Sequence, residues 1–375
     1  MKILHTSDWH LGMPLQMGTL LDDQRDFFAQ LYKIIEAENV DVVLVAGDIY
    51  DTSVTNVDSI RLYNEVVTKI CMEMHKKMVI IAGNHDSGPR LATCHALLEA
   101  AGLYVRGKLT KEISPISFGD VDVYPIPFFN RDEVIALFPE EKESIRSQED
   151  ATKLVCDHIR AKMNPKKFNI AVAHAYIVNA ELSDSDRAAQ VGFASAVSKA
   201  VFDGFDYVAL GHIHKPQIVS DTVRYSGSPL AYSFGKEETQ QKQVVLLDTE
   251  KNTQTEIYIQ PQHARVSLTG TYAEIQDAQG HDNDYMKITV TDRVAGLALL
   301  TELREKFPYL LELYGKAFTA TGEASSISLE QMQNMDEMTI MQQFLKEEYD
   351  FTPTEEQKAL FQDVVQKLQE GSEIE

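Results

Sequence analysis

Seven side chains in this sequence have the types and spacing to hold metal ions. They are Asp8 and His10 in D-x-H, Asp48 in G-D, Asn84 in G-N-H-D, His174, and His212 and His214 in G-H-x-H. Carboxylate, amide and imidazole donors without thiolate suit Mn, Fe or Zn rather than Ca or an iron–sulfur cluster. Seven donors are more than one ion needs. Two ions about 3.5–4 Å apart, bridged by one carboxylate, use them all. Such a pair lowers the pKa of a bridging water, and the resulting hydroxide attacks phosphorus in line while the ions neutralise charge on the phosphate oxygens.

Taken singly, each motif is weak: Asn and Gly suit turns, and G-H-x-H alone is a pair of surface histidines. Their weight comes from position, because each falls at or just after the end of a predicted strand. Lys2–Thr6, Val42–Ala46, Met78–Ala82, Ile170–Ala173 and Tyr207–Leu210 are short, largely β-branched runs. Between the first three lie helical patterns, one marked by Phe27, Leu31, Ile34 and Ile35 and one by Ile60, Tyr63, Val67 and Ile70. Strand–helix alternation predicts a largely parallel sheet, and the C-terminal strand ends of such sheets gather at one edge, where ligands bind. In extended chain, residues i and i+2 share a face, so Asp8 with His10 and His212 with His214 are expected to point together. Val223–Tyr225, Val244–Asp248 and Glu256–Ile259 follow with little room for helices, so this part is expected to be more antiparallel. His5, His75, His95, His158 and His263 lack the strand-end context and read as surface or core residues.

The ordered set D-x-H, G-D, G-N-H-D, H and G-H-x-H resembles the calcineurin-like metallophosphoesterases. The surrounding stretches ILHTSDWHLG, VAGDIYD, IAGNHD, ALGHIHKP and YSGSP resemble the bacterial nucleases of that family over residues 1–265. The resemblance implies an α/β fold, a two-sheet sandwich flanked by helices, with a small α+β capping domain and C-terminal helices. It implies one ion on Asp8, His10, Asp48 and His214, and a second on Asp48, Asn84, His174 and His212, most simply Mn²⁺. His85 would stabilise the transition state and protonate the leaving oxygen, with Asp86 orienting its ring. Some relatives carry a histidine soon after G-D; here Asp51 stands there, so no such role is assigned. Arg90 is placed either on a phosphate or at a solvated helix start. Also implied are DNA as substrate (ends and hairpins, 3′ to 5′ exonuclease and endonuclease cleavage), roles in repair, recombination and replication, a long coiled-coil ATPase partner, and a homodimer through the nuclease domain. The site residues alone do not separate this from a small-molecule phosphodiesterase, a phosphoprotein phosphatase or, if ligands were lost, a metal-free scaffold.

At 375 residues the chain has room for two domains and a tail. The pattern changes near Pro261–Arg265, after which Tyr285–Thr291, Leu297–Phe307 and Tyr309–Tyr314 read as strand, helix and strand. The expected domains are 1–265 (nuclease), 266–330 (cap over DNA, ending in a linker at Ala320–Ser328) and 331–375 (helices binding the partner). Met332, Met335, Met338 and Met341 recur every three residues, and Thr354 with Gln357 forms a capping-box pattern before an apolar stripe that includes Leu360 and Phe361. Three cysteines give no disulfide framework, and no apolar run is long enough to cross a bilayer, which predicts a cytoplasmic protein with no membrane partner. The formal net charge of −22 disfavours sequence-independent DNA binding. Residues 331–375, however, hold 11 acidic and 3 basic side chains, and bound divalent ions would reverse the local field.

Overall fold

The computed structural model describes residues 1–16, 18–186 and 196–316, and towards the C terminus 338, 341, 342, 345, 352–355 and 357–362. The chain divides into two compact units, Met1–Arg265 and Val266–Glu375.

The first unit is built on two six-stranded sheets. One uses β1 (Lys2–Thr6), β2 (Val42–Val45), β3 (Lys77–Ile81) and β4 (Leu103–Arg106). The other uses β5 (Ile116–Phe118), β6 (Val121–Ile126), β7 (Phe168–His174), β8 (Tyr207–Gly211), β9 (Gln217–Ile218) and β10 (Val223–Tyr225). The chain then returns to the first sheet as β11 (Gln243–Asp248) and β12 (Thr253–Tyr258). The orders are β12-β11-β1-β2-β3-β4 and β9-β10-β8-β7-β6-β5.

In the first sheet β1 to β4 are parallel, and β11 joins β1 antiparallel. The second is parallel from β6 through β7 and β8 to β10, with antiparallel strands only at its edges. Val223–Tyr225 is therefore parallel to β8 and antiparallel to β9, while β11 and β12 pair antiparallel as expected. The chain crosses back through the loop after Gly211 and the short β9, so a parallel return needs no helix here. The strands β4, β5, β6 and β9 are additions to the sequence reading.

Strand alternation sorts side chains between the layers. Ile3, Val42, Leu44, Val79 and Ile81 pack against Val123, Ile170, Val172, Tyr207 and Ala209 between the sheets. Leu4, Val43 and Val45, on the opposite face of the first sheet, are also fully buried, so that face is covered as well. Helices α1 (Leu21–Ala37) and α2 (Val57–Thr68) bury Phe27, Phe28, Leu31 and Ile35, and Leu62, Tyr63, Val66 and Val67. Ile60, expected in the α2 stripe, is instead 42% exposed, because Leu62 and Val66 set the buried face. On the outer face of the second sheet, Val155 and Ile159 of α3 (Gln148–Arg160) join Tyr124, Ala171, Val208 and Leu210. His5 spans the layers: its ring nitrogens meet Tyr207 Oη at 2.9 Å and the Leu210 carbonyl at 3.1 Å.

In the second unit, β13 (Arg265–Gly270), β14 (Tyr285–Val294) and β15 (Leu310–Lys316) form a three-stranded sheet, with β14 and β15 parallel. The helix Leu297–Lys306 supplies Leu299, Leu300 and Leu303 to a core with Met286, Ile288, Val290 and Leu310. The linker at Ala320–Ser328, Met332 and Met335 lie outside the described residues; Met338 and Met341 are helical. The Thr354 capping box is formed: Thr354 N donates to Gln357 Oε1 at 2.9 Å, and Gln357 N to Thr354 Oγ1 at 3.4 Å. Among the described residues no helix is long and apolar enough to cross a membrane.

Candidate metal centre

All seven predicted donors come together at the C-terminal ends of β1, β2, β3, β7 and β8. Ligand atoms of Asp8, His10 and His214 lie within 4.8 Å of one another, and so do those of Asp48, His174 and His212. Asp48 sits between the two sets, its Oδ2 3.7 Å from His10 Nε2 and 3.3 Å from His174 Nε2. Asn84 Oδ1 lies 3.0 Å from His174 Nε2 and 2.8 Å from His212 Nδ1.

The backbone reason differs from pleat alternation. Asp8, His10, Asp48 and His212 have φ of 52°, 44°, 50° and 101°, so each has left the strand for the left-handed region. Such strain persists only where surrounding structure over-determines it. Here the loops after β1 and β2 zip together: Asp8 N donates to Gly47 O at 3.0 Å, His10 N to Asp48 O at 3.0 Å, and Leu11 N to Ile49 O at 2.9 Å. The aim of Asp8 and His10 is thus set by turns that Asp and His tolerate better than most residues.

Asp86 does not orient the His85 ring. Its carboxylate accepts from Ile49 N, Tyr50 N and Gly83 N at 3.1, 3.0 and 2.9 Å, tying the G-D loop to the G-N-H-D loop. A carboxylate satisfied by three amides has little reason to turn towards an imidazole. The His85 ring is held instead by the Asp51 carbonyl, 2.8 Å from Nδ1. Asp51, given no role from sequence, also brings its carboxylate to 3.6 Å from His10 Nδ1. Arg90 is exposed and donates to Ser53 O at 2.8 Å. None of His5, His75, His95, His158 and His263 joins the cluster.

The electrostatics suit cations. Asp8, His10, Asp48, His174 and His214 are all at most 5% exposed, and among the described residues no Lys or Arg side chain pairs with either carboxylate. Burying anionic groups so deeply is costly without a counter-charge. Burial, reinforced by Asp48, pushes the Asp8 carboxyl up to about 6. Burial also opposes charge on Asp48, but His174 and His10 outweigh it and hold that carboxyl well below its usual range. His212 is driven down to about 3 by burial and then by His174.

Space and donor direction fit metal ions too. His174 Nδ1 is 2.8 Å from Ala46 O, so it carries a proton, and Nε2, which faces Asn84 Oδ1 and Asp48 Oδ2, is the atom left for a cation. His10 Nε2 and His214 Nε2 face each other at 3.1 Å, with His10 Nδ1 turned away beside the Asp51 carboxylate. A Cβ on Gly83 would stand 2.1 Å from Asp48 Oδ1, and one on Gly47 2.4 Å from His174 Nδ1, so these glycines let the loops close around the donors.

A two-sheet sandwich carrying clustered oxygen and imidazole donors across its strand ends defines a phosphoesterase. Residues 1–216 match the calcineurin-like phosphoesterase family, and the chain belongs to it. More specifically, the chain is 31% identical to the SbcD component of nuclease SbcCD from Staphylococcus saprophyticus, over 92% of each chain. It is 30% identical to the protein of the same name from Staphylococcus epidermidis, covering 92% of this chain and 93% of that one. Among solved structures, an archaeal phosphodiesterase aligns with 69% of this chain and 100% of its own, at 14% identity and a TM-score of 0.33.

Proposed function

We propose that the chain is an SbcD-like DNA nuclease, acting in the cytoplasm with an SbcC-like coiled-coil ATPase. The observation that carries this reading is the pair of donor sets meeting at Asp48, with the half-buried His85 beside them; whole-length relatives named as nuclease components support it. Asp8, His10, Asp48 and His214 would hold one divalent ion, and Asp48, Asn84, His174 and His212 a second, with Mn²⁺ suited to the donors. Bound ions supply Lewis acidity, lowering the pKa of water and neutralising phosphate charge. The protein's own part is positional. Gly47 and Gly83 admit the loops, Asp86 ties them together, and the Asp51 carbonyl keeps the proton on His85 Nδ1. Protonated His85 then gives its Nε2 proton to the leaving oxygen.

The substrates are DNA ends and hairpins, cleaved by 3′ to 5′ exonuclease and endonuclease action in repair, recombination and replication. Residues 266–330 shape the DNA path, 331–375 bind the base of the ATPase coiled coil, and the nuclease domain pairs two copies. Leu360, 66% exposed, fits an apolar face that awaits a partner.

The deciding experiment compares hydrolysis of hairpin DNA and of a cyclic nucleotide, with and without Mn²⁺, using Asp48→Asn and His85→Leu as controls. Mn²⁺-dependent hairpin cleavage lost in both variants is expected. Preference for the cyclic nucleotide would refute the nuclease reading. Deleting residues 335–370 should abolish copurification with the ATPase and spare phosphodiesterase activity; retained complex would remove that assignment.

A further inference from the structure

Three imidazoles of the centre are held from behind at Nδ1, two by main chain and one by a side chain. His174 and His85 each place Nδ1 against a main-chain carbonyl, of Ala46 and Asp51. His214 Nδ1 instead lies 2.6 Å from the hydroxyl of Ser185, in the short turn Asp184–Asp186. The same hydroxyl hydrogen-bonds Glu237 Oε1.

Glu237 is 1% exposed and fully engaged: Ser233 Oγ reaches Oε1 at 2.8 Å, while Tyr232 N and Lys242 Nζ reach Oε2 at 2.9 and 3.0 Å. Lys242 also donates to the His214 carbonyl at 3.1 Å and Ser228 Oγ at 3.0 Å, and His214 N donates to Asp186 Oδ1 at 3.1 Å. Tyr232 Oη donates to the Asp8 and Trp9 carbonyls, both at 2.8 Å. One short segment, Tyr232 to Lys242, therefore braces both ends of the Asp8–His10–His214 set.

The proton order follows from donor chemistry. A carboxylate paired with a buried lysine only accepts, so the Ser185 hydroxyl must donate to Glu237. Its oxygen can then only accept from His214, which puts the ring proton on Nδ1 and leaves Nε2 bare, facing His10 Nε2 at 3.1 Å. We propose that Ser185 and Glu237 are positioning residues, a carboxylate acting through a hydroxyl to fix the tautomer and aim of His214 for the ion on Asp8 and His10. This rests on the metal reading above. It also makes the two ions separable: His174 is oriented by the Ala46 carbonyl, which no side-chain substitution removes, whereas His214 depends on the Ser185 hydroxyl.

The test uses the full chain, stripped with a chelator and titrated with MnCl₂ by calorimetry and by Mn²⁺ electron paramagnetic resonance. Wild type should bind two ions as a coupled pair. Ser185→Ala should weaken one of them about 10–100-fold, leave the other unchanged, and replace the coupled signal with that of an isolated ion. Ser185→Thr, which keeps a hydroxyl, should restore the pair. Melting temperature in chelator should be unchanged in Ser185→Ala. Two ions bound by Ser185→Ala with wild-type affinity would overturn the inference alone, as would an equal loss of stability in chelator, which marks a merely structural contact. Wild type that binds no Mn²⁺ would overturn the metal reading together with this one.

Discussion

Replacing Gly83 by alanine tests the reasoning at its tightest point. The new Cβ would lie 2.1 Å from Asp48 Oδ1 and 2.3 Å from Asp48 N, whereas ordinary contact begins near 3.4 Å. The two loops must therefore part by about 1 Å. Neither has slack: Asp48 sits in left-handed backbone, and Gly83 N and Ile49 N share the Asp86 carboxylate. Metal sites tolerate about 0.2 Å in ligand distance, and a misplacement of about 1 Å lowers turnover roughly 100-fold, equivalent to about 2.7 kcal/mol in the barrier. The assay is Mn²⁺-dependent hydrolysis of bis-p-nitrophenyl phosphate, with circular dichroism to confirm folding. Gly119→Ala serves as the control, since its Cβ meets nothing within 4 Å. It should keep full activity and lose only about 1 kcal/mol of stability from its positive φ. Gly83→Ala with activity within threefold of wild type would refute the claim that this glycine is the clearance for Asp48.

Two further outcomes follow from buried groups. His5 is neutral in the fold because burial, aided by Arg224, lowers it to about 3. In the unfolded chain it titrates near 6.5, so stability falls as pH drops below 6.5, by about 2 kcal/mol at pH 5; metal-free His5→Gln should show that much less acid sensitivity in urea unfolding, and an unchanged slope would contradict it. Asp86→Ala strands three loop amides, so it should lower the melting temperature of the metal-free chain by several degrees, at about 1–3 kcal/mol per unsatisfied group. Lost activity at an unchanged melting temperature would instead favour a direct role at the His85 ring.

The strands that carry the donors were legible because β-branched runs end abruptly at G-D, G-N-H-D and G-H-x-H, and such runs have few other uses. The strands β5 and β6 were not, since Pro125, fifth of the six residues of β6, argues against a buried strand, although it is accommodated opposite Val172 in a parallel ladder. Left-handed backbone at Asp8, His10 and His212 was hidden because the residue types permit it without requiring it. Asp86 reads as a partner for its neighbour His85, yet its oxygens are taken by amides across the loop. Ser185 and Glu237 left no local trace at all. They sit in S-D-S-D and K-E-E stretches that look like solvated loops, and only folding places them behind His214.

The centre is stitched from both sheets: Asp8, His10, Asp48 and Asn84 leave the first, and His174, His212 and His214 leave the second. Ions seated there would act as rivets through a laminate. The layers otherwise meet largely through apolar side chains. Metal at 100 times its dissociation constant would add about 2.7 kcal/mol against unfolding, and that increment would load the seam between the sheets. Metal starvation would then remove a cross-link between the sheets, lowering the stability of the folded chain as well as silencing it.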